Sequence, residues 1–228
     1  MEHSSIRLDN VRAGYGDELA LDGMSCELLV DRTTVIIGPG GSGKSTVLKL
    51  IAGPSARPSS GLWCTGEITR PSADIAVVGQ RAHGGEALAS TVARIDANAV
   101  VETWREAPRE FVEGLLRGLD RDPSDMSPET QRLLELTAAL VSRHPVLLLD
   151  EPSNGLCARA RAALQQLLVR ARGTRTIVVV SHDLAFTRAI ADDVVFLLDG
   201  SIVESGTAEK IFENPTRERT RAMVRWGA

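Results

Sequence analysis

The chain has 228 residues, of which 43% are apolar and 25% charged, and it carries a formal net charge of −4. This length and balance are those of one large α/β domain, or of a core with an inserted subdomain, and the negative charge gives no indication of broad electrostatic binding to DNA or to anionic lipid. Three widely spaced cysteines without a C-x-x-C pair indicate neither a zinc site nor a disulfide framework, and they fit a reducing cytosol.

No signal peptide opens the chain, and no apolar run approaches the roughly 18 residues that a membrane-spanning helix needs. We therefore expect a cytoplasmic protein. If it works at a membrane, another chain must span that membrane.

The first predicted elements are two strands. Residues 6–9 alternate apolar and polar side chains, and residues 24–30 form a second extended run. The turn-rich segment 14–17 between them contains Tyr15, the only tyrosine of the chain. Its ring is suited to stacking on a nucleotide base, and the alternative is a tyrosine packed at a sheet edge.

Residues 38–45 have the spacing G-x-x-x-x-G-K-[ST] of the P-loop. The β-branched run 33–37 predicts a buried strand before it, and residues 47–52 predict a helix after it. The glycines let backbone N–H groups turn toward a phosphate chain, and the helix N-terminus adds a positive dipole end. Lys44 is predicted to reach the β- and γ-phosphates, and Ser45 to bind Mg²⁺. The predicted nucleotide-binding residues are therefore Tyr15, Gly38, Pro39, Gly40, Gly41, Ser42, Gly43, Lys44, Ser45 and Thr46.

A loop and two short strands are predicted after this helix. Residues 54–61 are rich in proline and serine, and residues 66–69 and 74–78 are the predicted strands. The second strand is followed by Gln80, whose side chain is placed to sense a metal ion or a water molecule.

Residues 81–145 predict an inserted, mostly helical subdomain, because the β-branched runs stop and apolar residues recur at helical spacing. Trp104 and Phe111 are expected in its core. Its last helix is predicted to begin with Ser127 as N-cap and Pro128 in the first turn.

Strands return after residue 145. Residues 146–149 and 176–180 are apolar runs that predict buried strands, and residues 194–198 and 201–204 predict a hairpin. Strands that alternate with helices imply a mostly parallel sheet covered on both faces. Because ligands bind beyond the carboxyl ends of such strands, the site is predicted there.

Four polar residues follow the ends of predicted strands. Asp150 is predicted to bind Mg²⁺, and Glu151 to polarise an attacking water; the alternative is that the two acids cap a helix. His182 is placed to hydrogen-bond a γ-phosphate or that water. The candidate catalytic residues are Glu151, His182 and Gln80, and the candidate metal ligands are Ser45, Gln80 and Asp150.

The order of these motifs resembles that of ABC-type ATPase domains. The P-loop at 38–46, Gln80, the segment 147–152 and His182 follow one another as in that family, and Tyr15 lies where the family has its adenine-stacking aromatic. The resemblance covers nearly the whole chain. Within the family, three segments resemble the ATP-binding subunits of phosphate importers, namely residues 35–39, 200–206 and 211–220.

The resemblance implies an α/β P-loop NTPase fold with a mostly parallel sheet core, N-terminal antiparallel strands and an inserted helical subdomain. It implies one domain over residues 1–228, with the core at 1–80 and 146–228 and the helical subdomain at 81–145. It also implies ATP and Mg²⁺ as cofactors, with a second ABC ATPase subunit (homodimer or heterodimer) and a membrane permease as partners at the inner face of the cell membrane. No nucleic-acid partner is expected, because the chain has no long coiled coil or paired ATPase domain.

Two segments depart from the family pattern. The signature Leu-Ser-Gly-Gly-Gln, which in the family closes over the ATP of the opposite subunit, is replaced at residues 126–130 by a sequence that keeps only Ser127. Pro128 has no N–H to offer a phosphate, and Glu129 is expected to bring a carboxylate toward the triphosphate. The segment that resembles the family's D-loop ends in Cys157 in place of aspartate.

These departures predict a chain that binds MgATP but hydrolyses it poorly unless a partner supplies an intact signature; the alternative is a signature that tolerates such changes. Residues 81–87, in the region where importers receive the permease, lack the usual aromatic-proline segment. Two other functions remain open. One is a soluble, non-transport ABC-type ATPase acting as a regulator or accessory protein, and the other is a P-loop enzyme that transfers phosphate to a small molecule.

Overall fold

The computed structural model describes residues 5–53, 61–71, 74–80, 85–142 and 144–226. The strands are β1 (Ser5–Tyr15), β2 (Glu18–Leu29), β3 (Thr33–Ile37), β4 (Leu62–Thr69), β5 (Ile75–Val78), β6 (Val146–Asp150), β7 (Thr176–Val180), β8 (Asp193–Leu198) and β9 (Ser201–Thr207). The helices are α1 (Lys44–Ala52), α2 (Gly85–Val92), α3 (Ala97–Thr103), α4 (Arg109–Leu119), α5 (Pro128–Val141), α6 (Ala158–Arg170), α7 (Leu184–Ile190), α8 (Ala208–Glu213) and α9 (Glu218–Trp226).

A six-stranded sheet in the order β5-β6-β7-β3-β8-β9 forms the core, and all of its neighbouring strands are parallel except the edge pair β8 and β9. Its central strands are buried along their whole length because both faces of the sheet are covered. In β3, Val35 and Ile37 pack into the core on one face, and Ile36 packs into the core on the other. The predicted α/β fold with a mostly parallel sheet is confirmed.

Different elements cover the two faces of this sheet. One face packs against α1 and a three-stranded antiparallel sheet in the order β2-β1-β4, built from the N-terminal strands. The other face packs against apolar side chains from α2 to α9. On that side Trp104 is 1% exposed, lies edge-on to Phe111 with ring centroids 5.1 Å apart, and donates from Nε1 to Thr137 Oγ1 over 2.9 Å. Both aromatic residues belong to the core, as predicted.

The start of α5 also agrees with the sequence, because Ser127 is its N-cap and accepts a hydrogen bond from Thr130 N. In contrast, β1 is longer than predicted and includes Gly14 and Tyr15, which the composition places in a turn. Pairing with β2 on one side and β4 on the other holds these residues extended. Short helices such as α7 and α8 give no periodic pattern in the sequence.

Part of the predicted organisation lies outside the described residues, namely residues 54–60 of the predicted loop and residues 81–84 at the start of the predicted helical subdomain. Across the ranges that are described, no helix combines the length and apolar character needed to cross a bilayer.

The C-terminal segment is attached to the sheet through Glu204 of β9. Its carboxylate accepts hydrogen bonds from Thr216 N (2.9 Å), Thr216 Oγ1 (2.6 Å) and Arg217 N (3.1 Å). Burial alone would raise the pKa of Glu204, but these donors favour the charged form and lower the pKa from 4.5 to about 2. The ionised carboxylate therefore stabilises the folded chain.

Glu204→Gln is expected to lower the free energy of unfolding at pH 7 by about 1–2 kcal/mol, because a neutral amide replaces a charged acceptor. Since the pKa is depressed in the folded state, the wild-type advantage is present above pH 4.5 and is lost as the pH falls toward 2. Urea unfolding of both proteins between pH 7 and pH 3 measures this difference. The exposed Glu209, changed to glutamine, is the control. A constant difference across this range would contradict the prediction.

Candidate functional site

The loop between β3 and α1 adopts a conformation that only glycine supports at its two ends. Gly38 has a φ of 156° and Gly43 a φ of 97°. A Cβ at Gly38 would lie 2.1 Å from Leu197 O, and a Cβ at Gly43 would lie 2.5 Å from Ala20 O. The predicted role of these glycines in shaping the loop therefore has two causes, the backbone conformation and close contact with neighbouring strands.

Lys44 extends into this loop and is 8% exposed. Its ammonium group donates to Gly38 O over 2.9 Å and to Pro39 O over 2.7 Å. Burial lowers the pKa of Lys44, and the nearby carboxylates of Glu151 and Asp150 oppose that shift. A buried ammonium whose direct partners are neutral carbonyl groups favours an anion in the loop.

Asp150, the last residue of β6, faces the start of α1. Its Oδ1 is buried without a hydrogen-bond partner among the described residues, and the Ser45 hydroxyl is close enough to favour the charged form of the carboxylate. Burial raises the pKa of Asp150; Ser45, Arg132 and Lys44 oppose that shift, and Glu151 adds to it. A buried carboxylate oxygen without a partner, next to a hydroxyl group, fits a hard divalent cation such as Mg²⁺.

Glu151 is fixed by the end of the neighbouring strand β7. Its backbone has a φ of 47°, and its N–H donates to Val180 O over 2.8 Å. Its carboxylate accepts hydrogen bonds from Ser181 Oγ (2.9 Å) and His182 N (3.1 Å), and it lies 2.7 Å from His182 Nδ1. The Glu151 side chain is 8% exposed and that of His182 is 66% exposed. The buried Glu151 carboxylate therefore contacts a His182 ring that is exposed to solvent.

The other two predicted residues, Gln80 and Tyr15, lie at the margin of this site. Gln80 is exposed, and within the described part of the chain no hydrogen bond joins its side chain to Asp150 or Glu151. Tyr15 ends β1, and its hydroxyl accepts a hydrogen bond from Lys49 Nζ over 3.1 Å, with that ammonium 5.2 Å from the ring centroid. The structure thus brings the loop, Asp150, Glu151 and His182 together, and leaves Gln80 and Tyr15 around them.

Arg132 of α5 is not among the residues predicted from the sequence, although it contacts the main chain of this site. Its guanidinium donates to Gly79 O, to Asp150 O over 2.7 Å and to Glu151 O over 3.1 Å, and it pairs with Glu135 over 3.7 Å. Both charged side chains are 5% exposed. The signal in the sequence is an arginine and a glutamate three residues apart within a leucine-rich helix.

Ser181 is a second residue that the sequence does not single out, and it is one of the two residues that donate to the Glu151 carboxylate.

Trp63 is a third residue that the sequence does not single out. Its Nε1 donates to Gly16 O over 2.8 Å, and its ring lies against Gly14, so it braces the turn that follows Tyr15.

The segment that replaces the signature is engaged within its own chain. Ser127 Oγ accepts from Thr130 N over 3.2 Å. Glu129 Oε1 accepts from Cys157 N over 2.7 Å, a contact that sequence spacing did not indicate. The Glu129 carboxylate, expected to face a triphosphate, therefore has a partner in the segment that resembles the D-loop.

Comparisons with known proteins agree with this geometry. The family model described as "ABC transporter" matches residues 21–154. A probable amino-acid import ATP-binding protein of Bacillus subtilis is 31% identical over 96% of both chains. A phosphate import ATP-binding protein of Natronomonas pharaonis is 31% identical over 96% of this chain and 86% of its own. A zinc import ATP-binding protein of Halorhodospira halophila is 29% identical over 94% of this chain and 82% of its own.

Two solved structures share the fold at 20% sequence identity. One is an ATP-binding subunit of an ABC transporter, with a TM-score of 0.75 over 97% of this chain and 99% of that chain. The other is a bacterial Atm1-family ABC exporter with ATP bound, with a TM-score of 0.74 over 96% of this chain; this chain spans 41% of that exporter chain.

Proposed function

This chain belongs to the ABC transporter family, and on that premise we propose that it is the ATP-binding subunit of an importer, which couples the binding and hydrolysis of ATP to a membrane permease. The observation that carries the proposal is the buried Lys44 ammonium inside a glycine-constrained loop, beside the carboxylates of Asp150 and Glu151. This arrangement supplies charge for a phosphate chain and for a cation in one place.

ATPase domains of this family bind ATP, with Mg²⁺ as the usual partner ion. We assign the nucleotide phosphates to the loop 38–46, with Lys44 neutralising their charge, and the adenine ring to Tyr15. Ser45 and Asp150 are the proposed Mg²⁺ ligands, with Gln80 as a third group that approaches when nucleotide binds. The ion supplies neutralisation of charge that develops on the phosphate oxygens.

Glu151 is the proposed base that orients and deprotonates the attacking water. Donors from Ser181 and His182 hold its carboxylate in one orientation, which is the positioning that this role needs. Turnover by the chain alone is proposed to be weak, because Pro128 offers no N–H to the ATP of a second subunit. A partner subunit with an intact signature would complete the site of this chain.

A groove of about 590 Å³ beside the edge strand β5 supports a membrane partner. Its walls come from β5, α2 and α5, and include Ile75, Val77, Ile95 and Val141. Val77 is 44% exposed. We propose that a short cytoplasmic helix of the permease occupies this groove with its apolar face, which places the chain at the inner face of the cell membrane.

The proposed solute is phosphate, from the resemblance of residues 200–206 and 211–220 to phosphate-importer subunits. The phosphate import relative shares 31% identity with this chain, and the amino-acid import relative shares the same value. Solute uptake by the assembled transporter, with phosphate and amino acids compared side by side, decides between them.

The proposal is tested by titrating MgATP into the purified chain and by co-expressing it with a candidate permease. We expect saturable binding of one MgATP per chain, loss of that binding in Lys44→Ala, and ATP turnover that rises when the permease is present. A chain that binds no MgATP would overturn the ATP-binding role. Capture of a partner without transmembrane helices would favour the soluble regulator instead.

Tyr15→Ala is expected to weaken ATP binding by about 5–150-fold, because base–aromatic stacking contributes about 1–3 kcal/mol. Binding of inorganic tripolyphosphate, which has no base, should not change. Calorimetric titration of both ligands measures the difference, and Tyr15→Phe, which keeps the ring but loses the hydrogen bond from Lys49, is the matched control. Equal weakening of both ligands by Tyr15→Ala would show that the ring acts on the loop rather than on the base.

A further inference from the structure

Two residues that depart from the family pattern, Glu129 and Cys157, contact each other. Glu129 Oε1 accepts a hydrogen bond from Cys157 N over 2.7 Å. Glu129 lies in the first turn of α5, and Cys157 is the N-cap of α6, where its side chain makes no capping hydrogen bond. The contact therefore joins the two segments that, by the resemblance, face a second ATP-binding subunit.

The N-terminus of α6 is poorly capped by its own residues. An N-cap position favours Asp, Asn, Ser or Thr, because their side-chain oxygens accept from the N–H groups of the first turn, and Cys157 has no such oxygen. The first turn of α6 also contains no acidic residue, so nothing in the helix itself complements its positive end. Glu129 brings a carboxylate to this end from the neighbouring helix.

We propose that Glu129 is a positioning residue that replaces the carboxylate absent from position 157. Its hydrogen bond holds the segment 126–130 against the segment 153–157, so that the two present one fixed surface to a partner subunit. The carboxylate is engaged in its own chain and does not act as a repulsive charge toward the partner's nucleotide. This inference rests on the proposed function, because it takes ATP binding to bring two such chains together.

Four variants separate this role from a simple effect on the fold: Glu129→Ala, Glu129→Gln, Cys157→Asp and the double variant Glu129→Ala/Cys157→Asp. Thermal unfolding is measured without nucleotide. ATP-dependent association is measured by sedimentation with a slowly hydrolysed ATP analogue, and MgATP affinity by calorimetry.

In wild type, Cys157→Asp places a second carboxylate beside Glu129 and should lower Tm by about 2–4 °C. In the Glu129→Ala background the same change supplies the missing cap and should raise Tm by about 2–4 °C. Glu129→Ala should weaken ATP-dependent association by about 5–10-fold, and both Glu129→Gln, which keeps an acceptor, and the double variant should restore it. MgATP affinity should be the same in all of these proteins.

Three results would overturn the inference. One is an effect of Cys157→Asp on Tm that has the same sign in both backgrounds. Another is Glu129→Gln associating more tightly than wild type, which would show that the carboxylate repels the partner's nucleotide. The third is a wild-type chain that binds MgATP but does not associate. Absence of MgATP binding would instead contradict the proposed function, and the sign of the Tm change would still decide whether the two residues are coupled.

Discussion

Glu151→Gln is expected to lower the rate of ATP hydrolysis by about 10²–10³-fold while MgATP affinity stays within about twofold, the range typical for loss of a positioned general base. The single amide oxygen can still accept a hydrogen bond from one of the donors Ser181 and His182, so the side chain keeps its place at the end of β6. What it loses is the capacity to take a proton from water. In the proposed site, binding depends on Lys44 and the loop, which this change leaves intact.

Single-turnover hydrolysis with radiolabelled ATP measures this loss even if the wild-type chain turns over slowly. Ser181→Ala is the graded comparison, because it removes one donor to the carboxylate and should lower the rate by about 5–10-fold. Glu110→Gln, at an exposed position on α4, is the control for loss of one carboxylate. If Glu151→Gln hydrolyses ATP at the wild-type rate, the proposed base is wrong.

The sequence predicts those parts of the fold that show a local pattern of residue types, such as a continuous run of apolar residues. Residues 33–37 and 176–180 are continuous apolar runs because they form central strands buried on both faces, and the predicted bounds agree with the structure. The loop before α1 is recognisable for a similar reason, since its glycines are required by contacts at fixed spacing. Asp150 and Glu151 were placed at the site because they directly follow such a run.

Contacts between distant segments are the part that the sequence does not predict. Ser181 reaches Glu151 across thirty positions, and Arg132 reaches Gly79 across fifty-three. The sequence also does not predict the direction in which a side chain points. Spacing places Glu129 in the first turn of α5, but its carboxylate accepts a hydrogen bond from Cys157 N, and only the relative position of the two segments in space decides that direction.

Arg132→Met is expected to lower the free energy of unfolding by about 3–5 kcal/mol, the range measured when one partner of a buried ion pair is removed. The guanidinium fixes α5 to the carboxyl ends of β5 and β6 by donating to Gly79 O, Asp150 O and Glu151 O. Without it these carbonyl groups lose a donor, and Glu135 loses the guanidinium that lies 3.7 Å from its carboxylate. Chemical unfolding in urea measures the change.

Arg109→Met is the matched control, because Arg109 pairs with Glu113 on an exposed helix surface and its side chain is 91% exposed. Its effect should stay below about 0.5 kcal/mol. The double variant Arg132→Met/Glu135→Leu replaces the buried pair with apolar side chains and should recover most of the stability, since such replacements are often neutral. A loss in Arg132→Met no larger than that in Arg109→Met would contradict a structural role for the buried arginine.

The double variant also separates stability from activity. If Arg132 only stabilises the fold, the recovered protein should hydrolyse ATP at the wild-type rate. We expect it to remain slower by about tenfold, because the main chain of Asp150 and Glu151 is no longer fixed, and small displacements of a positioned carboxylate reduce rate steeply. The same buried side chain would then connect α5, the end of β5 before Gln80, and the two acids Asp150 and Glu151 of the proposed site.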